Sequence, residues 1–129
     1  MGIMQGQQVF DRTSALASVG GDRQFLRELV GLVQAAWPAV LADIRKALEI
    51  GDLRAVGENA RLAKAAAEYV SAKRAYDSAL QLECMAGKAN LLGIQRATSQ
   101  LEEEVHKLQP VLSMFRCSEG SREAKYAST

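Results

Sequence analysis

Few residues in this chain could carry chemistry. There is one histidine, His106, and two widely spaced cysteines, Cys84 and Cys117. One His with no second His three or four residues away, and no C-x-x-C pair, offers no metal-ligand pattern. The cysteines are too few for a disulfide scaffold and suit a reducing, cytoplasmic setting. Cys84 falls on a helical pattern and reads as a small core or boundary residue; Cys117, close to the C-terminus, reads as exposed. Gly20-Gly21-Asp22 lacks both the Lys-Ser/Thr of a phosphate loop and a preceding strand, so it reads as a helix break. The basic residues Arg45, Lys46, Arg54, Arg61, Lys64, Lys73 and Arg74 are interspersed with Asp43, Glu49, Asp52, Glu58 and Glu68. That is the pattern of a mixed solvated surface rather than a nucleic-acid footprint. Glu102-Glu103-Glu104 reads likewise. His106 follows them, and Glu102 and Glu103 one turn back are its expected salt-bridge partners on a solvated surface.

The elements that must position these groups are helical. Of 129 residues 21 are Ala, by count, and 2 are Pro, which favours helix strongly. A chain of 14.0 kDa, 48% hydrophobic and 24% charged, is sized for one domain with a core. A net charge of +1 supplies no global field toward nucleic acid or an anionic membrane. The uncharged apolar runs are short, so no transmembrane helix is expected, and Met1 to Phe10 shows no signal-peptide pattern. Phe10 to Leu16 predicts a short first helix. After the break at Val19 to Asp22, with Asp22 as N-cap, Phe25, Leu26, Leu29, Val30, Val33 and Trp37 recur at spacings of three and four. Pro38 either begins a new helix or kinks a continuing one; the stripe resumes through Leu41, Ile44 and Leu48 and stops at Gly51. Asp52 caps the next helix, whose stripe of Leu53, Val56, Ala60, Ala63, Ala67 and Val70 is thin enough for close packing. Beyond Ser71 come Ala72, Ala75, Tyr76, Ala79, Leu82 and Met85, ending near Gly87. A last stripe runs Leu91, Ile94, Leu101, Val105, Leu108, Leu112 and Phe115, with Pro110 expected to end or bend it. The expectation is an all-α, antiparallel four-helix bundle over residues 9–116 with a short N-terminal helix, and flexible termini at 1–8 and 117–129.

On the third stripe the sequence becomes specific. Asn59-Ala60-Arg61-Leu62-Ala63-Lys64-Ala65-Ala66-Ala67-Glu68-Tyr69-Val70-Ser71-Ala72 resembles the signature of histidine-containing phosphotransfer (HPt) domains, Ala-His-x-Leu-Lys-Gly-Ser/Ala-Ala-x-x-Ile/Leu-Gly-Ala. Ala60, Lys64, Ala66, Ala67, Val70 and Ala72 fall on matching positions, and Ala79, Leu82 and Glu83 on the family's downstream pattern. Gly20-Gly21-Asp22, Phe25-Leu26, Pro38 and Gly51-Asp52 are among the framework matches upstream. The resemblance covers roughly residues 9–115.

The resemblance implies a helical phosphorelay module that exchanges phosphoryl groups with response-regulator receiver domains or hybrid histidine kinases, without a cofactor. The family's phosphoacceptor His is replaced here by Arg61. A guanidinium is permanently cationic and has no free lone pair to attack phosphorus. The family's Leu is Ala63, and its two Gly are Ala65 and Ser71. No catalytic residue is therefore expected. The face formed by Gly57, Arg61, Lys64, Ala65 and Glu68 is the candidate receiver-binding surface, with Lys64 positioned to neutralise phosphoryl oxygens. The stripe places Arg61 on the side away from the core, and small Gly57 and Ala65 leave it accessible. Two other readings stand beside this silent, docking module. One is an active phosphotransfer protein, with His106 as acceptor or with position 61 mutated from His. The other is a plain helical bundle for interaction or oligomerisation.

Overall fold

The computed structural model describes residues 9–127, and side chains as far as Cys117. Five helices follow one another: α1 (Arg12–Ser18), α2 (Arg23–Ile50), α3 (Leu53–Tyr69), α4 (Lys73–Gly87) and α5 (Leu91–Ala127), with no strand among the described residues. Helix α2 packs on α3, α3 on α4, α4 on α5, and α5 returns to α2; α1 lies against α2. The expected all-helical bundle is what forms.

The helix starts follow elementary capping. Asp11, Asp22 and Asp52 each accept, through a side-chain oxygen, the backbone N–H three residues on, from Ser14, Phe25 and Ala55. Gly51 closes α2 at φ 77°, a left-handed conformation that glycine adopts without steric cost. The next turn achieves the same reversal without glycine. Ser71 sits at φ 53° between α3 and α4, where a side chain costs roughly 1–2 kcal/mol. Its carbonyl accepts the N–H of Asp11 (3.2 Å), tying the start of α1 to this turn.

The core is built from the predicted stripes. Leu26, Val30, Val33, Trp37 and Ile44 of α2 meet Val56, Ala60, Ala63 and Ala67 of α3, Ala75, Ala79 and Leu82 of α4, and Ile94, Leu101, Leu108 and Leu112 of α5. Phe10 packs edge-on against Phe115 at 5.5 Å between centroids. Phe25 and Leu91, expected in the stripes, are exposed; each lies in the first turn of its helix, at the rim of the bundle. Cys84, expected at the core or its boundary, is exposed, because α4 turns Leu82 and Ala79 inward instead.

Neither proline ends its helix. Pro38 lies inside α2 and Pro110 inside α5. Lacking an N–H, Pro38 leaves the carbonyl four residues back, that of Gln34, without its helical partner. Gln109 of α5 supplies the missing donor: its Nε2 donates to the Gln34 carbonyl at 3.1 Å. In return Gln34 Nε2 donates to the Gln109 carbonyl (3.2 Å) and to Ser113 Oγ (2.8 Å). The continuous helix is thus completed from across the bundle.

The backbone of α5 is helical to Ala127, through most of the segment expected as a flexible tail; residues 118–127 hold no proline, and helix-forming Glu, Arg, Ala and Lys recur there. The expected frayed start at 1–8 lies outside the described residues. Helix α2 is long and apolar enough, by length and composition, to cross a membrane, with a mean hydropathy of 1.3 over its most apolar stretch. Ala, Val and Leu fill its outer side as well as its stripe, Leu32 being exposed, whereas its inner stripe from Leu26 to Ala47 is buried in the bundle.

Candidate functional site

Arg61 sits in the middle of α3, and the stripe Val56, Ala60, Ala63 and Ala67 turns it outward. Its side chain is 72% exposed. It is not free of neighbours, as its own helix would suggest, because a side chain from α4 reaches it. Arg61 Nε donates to Glu83 Oε2 at 3.2 Å, and Lys64 Nζ donates to the other carboxylate oxygen, Oε1, at 2.7 Å. One carboxylate on α4 therefore bridges two cations one turn apart on α3.

The bridge depends on how close α3 and α4 come. Their shared surface is lined with alanine, and a Cβ placed on Gly57 would be 3.7 Å from the Ala86 Cβ. With so little bulk between the helices, Glu83 reaches both cations. The hydrogen bond from Lys64 is the main reason Glu83 is held below the usual carboxylate range; burial opposes it, and the hydrogen bond from Arg61 assists. Reciprocally, the hydrogen bond to Glu83 raises Lys64 above its ordinary value. Two positive charges share one negative charge, so the cluster keeps a surplus of one positive charge at neutral pH.

The predicted face is only partly brought together. Gly57 and Arg61 line one open depression of about 550 Å³ with Leu53, Glu83 and Ala86. Lys64 joins them through Glu83 and is mostly covered, its side chain 24% exposed. Its hydrogen-bonding is directed into the bundle's surface pair, not outward as expected from α3 alone. Ala65 is half-buried. Glu68 belongs elsewhere: it lines a separate depression of about 320 Å³ at the α3–α4 turn, with Asp11, Ser71, Lys73 and Tyr76. The outer side of α3 also exposes Leu62 and Tyr69, seven residues apart and so on one face.

Glu83 is the member that helical periodicity misses. Its meeting with Arg61 depends on the register of α4 against α3. Four other cations of the basic set also meet a carboxylate: Arg45 with Glu102 and Arg74 with Glu104 between helices, and Arg54 with Glu58 and Lys73 with Asp77 within one helix. These pairs remove the expected partners of His106. Glu102 is taken by Arg45 and Glu103 lies 3.8 Å from Lys107, while His106 is exposed and forms no ion pair among the described residues. Comparison with known protein families, with curated proteins and with solved structures finds no match to this chain.

Proposed function

We propose that this chain is an HPt-like signalling module, an antiparallel four-helix arrangement of α2 to α5. In this reading it docks a response-regulator receiver domain through the Arg61 face without itself accepting phosphate, and it works in the cytoplasm. The observation that carries this reading is the exposed guanidinium at the phosphoacceptor position of an otherwise HPt-like pattern. Arg61 offers no nucleophilic nitrogen, yet it offers a positive charge where a partner's acidic pocket would sit. Leu62 and Tyr69 add apolar surface along the same helix. Such a module would compete with an active relay partner or hold a receiver in one state.

Calorimetry against receiver domains of the source organism tests docking. Saturable binding that weakens as salt rises is expected. Arg61→Glu should weaken it more than Arg61→Ala, because it adds repulsion to the loss of attraction. No saturable binding to any receiver removes the proposal. Incubation with a phosphorylated receiver tests the silence of the site. No acid-labile label should appear on this chain; label that disappears in His106→Ala would instead establish a displaced acceptor.

A further inference from the structure

The two ends of the Arg61 guanidinium are used differently. Nε is engaged by Glu83, whereas the terminal nitrogens Nη1 and Nη2 make no hydrogen bond among the described residues. Arg45 is unlike it, donating both Nε and Nη2 to the carboxylate of Glu102, one to each oxygen. Glu83 does not follow that pattern: one oxygen accepts from Arg61 Nε and the other from Lys64 Nζ at 2.7 Å. The guanidinium is consequently anchored along its inner edge, and its end-on fork, the pair of terminal nitrogens, is left to solvent. That fork matches the two oxygens of a carboxylate or phosphoryl group. Lys64 offsets the charge of Glu83, so the anchor orients Arg61 without cancelling its charge.

We infer that the Arg61 fork is a bidentate oxyanion-recognition site and that Glu83 is its positioning residue. The inference rests on the docking reading for its natural ligand, an oxyanion inside a partner's acidic pocket, either a carboxylate or a phosphoryl group. It also reassigns Lys64 from a group that meets the ligand to one that neutralises the anchor.

Arginine-side-chain NMR on the full chain, titrated with inorganic phosphate and separately with acetate at constant ionic strength, tests the site without any receiver. The Arg61 Nε–H signal should move saturably. A steeper response to phosphate identifies a phosphoryl ligand, and an equal or steeper response to acetate a carboxylate. Electrostatics alone requires Glu83→Ala to bind the anion more tightly, since it removes a negative charge. Positioning requires the reverse, a weakening of about threefold or more, with Glu83→Gln restoring binding because its amide oxygen still accepts from Nε. Arg61→Lys, which keeps the charge and loses the fork, should lose a similar factor. No Arg61 response to either anion, tighter binding in Glu83→Ala, or undiminished binding in Arg61→Lys would each overturn the inference. Should Glu83→Ala fail to fold, Glu83→Gln and Arg61→Lys still decide. These titrations involve no receiver, so their failure leaves docking standing, and failed docking leaves them standing.

Discussion

The α2–α5 seam and the α3–α4 seam solve the same packing problem with opposite materials. Where α2 meets α5 the buried side chains are large, Trp37 and Val33 on one helix and Leu108 and Leu112 on the other, and the seam is stitched by long polar side chains, the Gln34–Gln109 exchange and the Arg45–Glu102 pair. Between α3 and α4 lie Ala60, Ala63, Ala67, Ala75 and Ala79. The first seam derives its stability from area, since large side chains leave water there. The second contributes less area and more proximity, and that proximity is what lets Glu83 bridge Arg61 and Lys64. The bulky seam is thus a source of stability, and the thin seam is where surface charges can be set in a fixed geometry.

The largest effect that would separate the two roles is Trp37→Ala. Trp37 is fully buried, and its truncation should cost roughly 3–5 kcal/mol by urea unfolding. The Arg61 side-chain signal should nevertheless be unchanged in the folded variant, since the cavity opens on the far seam. A shifted Arg61 signal would show that the two seams are mechanically coupled.

Ala79→Leu should do the converse. Ala79, Glu83 and Ala86 are spaced by four and three on α4, and the last two meet α3 directly, so Ala79 faces α3 as well. Three added side-chain carbons compressed into that contact should cost about 1–3 kcal/mol. It should also part the helices and perturb the Arg61 Nε–H signal, which Trp37→Ala does not. If Ala79→Leu is neutral and leaves Arg61 alone, the thin seam is looser than its alanines imply.

How much of this was legible in the sequence depends on the distance over which each feature is decided. Features settled within one turn were readable: the Asp22 and Asp52 caps, the reversal at Gly51, and the stripe from Leu26 through Ile44. Pro38 was not, because a proline-containing helix persists only if something else satisfies the orphaned carbonyl, and that donor is Gln109 on another helix. Arg61 was readable as outward-facing, but its tether was not. The i, i+3 and i, i+4 rule names Glu58 and Lys64 as its neighbours, whereas Glu58 pairs with Arg54 and the partner of Arg61 comes from α4. The same limit applies in part to His106: Glu102 is drawn off to Arg45 on α2, although Glu103 pairs locally with Lys107. Local i, i+4 pairs such as Arg54–Glu58 and Lys73–Asp77 form as proximity dictates, whereas the partners of Arg45, Arg61, Lys64 and Arg74 are set by register between helices.

Gln109→Leu tests whether the bulky seam needs its polar stitches. The substitution keeps the side chain's apolar bulk but withdraws the only donor seen on the Gln34 carbonyl from α5. A partly buried acceptor left without its partner should lower stability by about 1 kcal/mol. Gln109→Glu should cost more, since a carboxylate lacks the donor and also sets a partly buried negative charge against the Gln34 carbonyl. If leucine stabilises the protein, apolar area outweighs the hydrogen bond, and the seam is hydrophobic in substance as well as in composition.

The smallest effect belongs to Arg45–Glu102, and pH isolates it. The hydrogen bond from Arg45 holds the Glu102 carboxyl below its usual value of 4.5. A depressed carboxylate contributes stability that is complete above its unfolded value and disappears as pH falls through its folded value. Glu102→Gln should therefore cost stability near neutrality and progressively less as the pH drops below 4.5. Both side chains are a third or more open to solvent, at 43% and 33%, so screening should hold the difference to roughly 0.5 kcal/mol, smaller still at high salt. Glu83 and Asp11 are also depressed and add their own acid sensitivity. They are common to both proteins, so subtracting the variant's pH profile from that of the parent leaves Glu102 alone. A difference that persists unchanged into acid would mean that Glu102 supports the seam by packing along α5 rather than by charge.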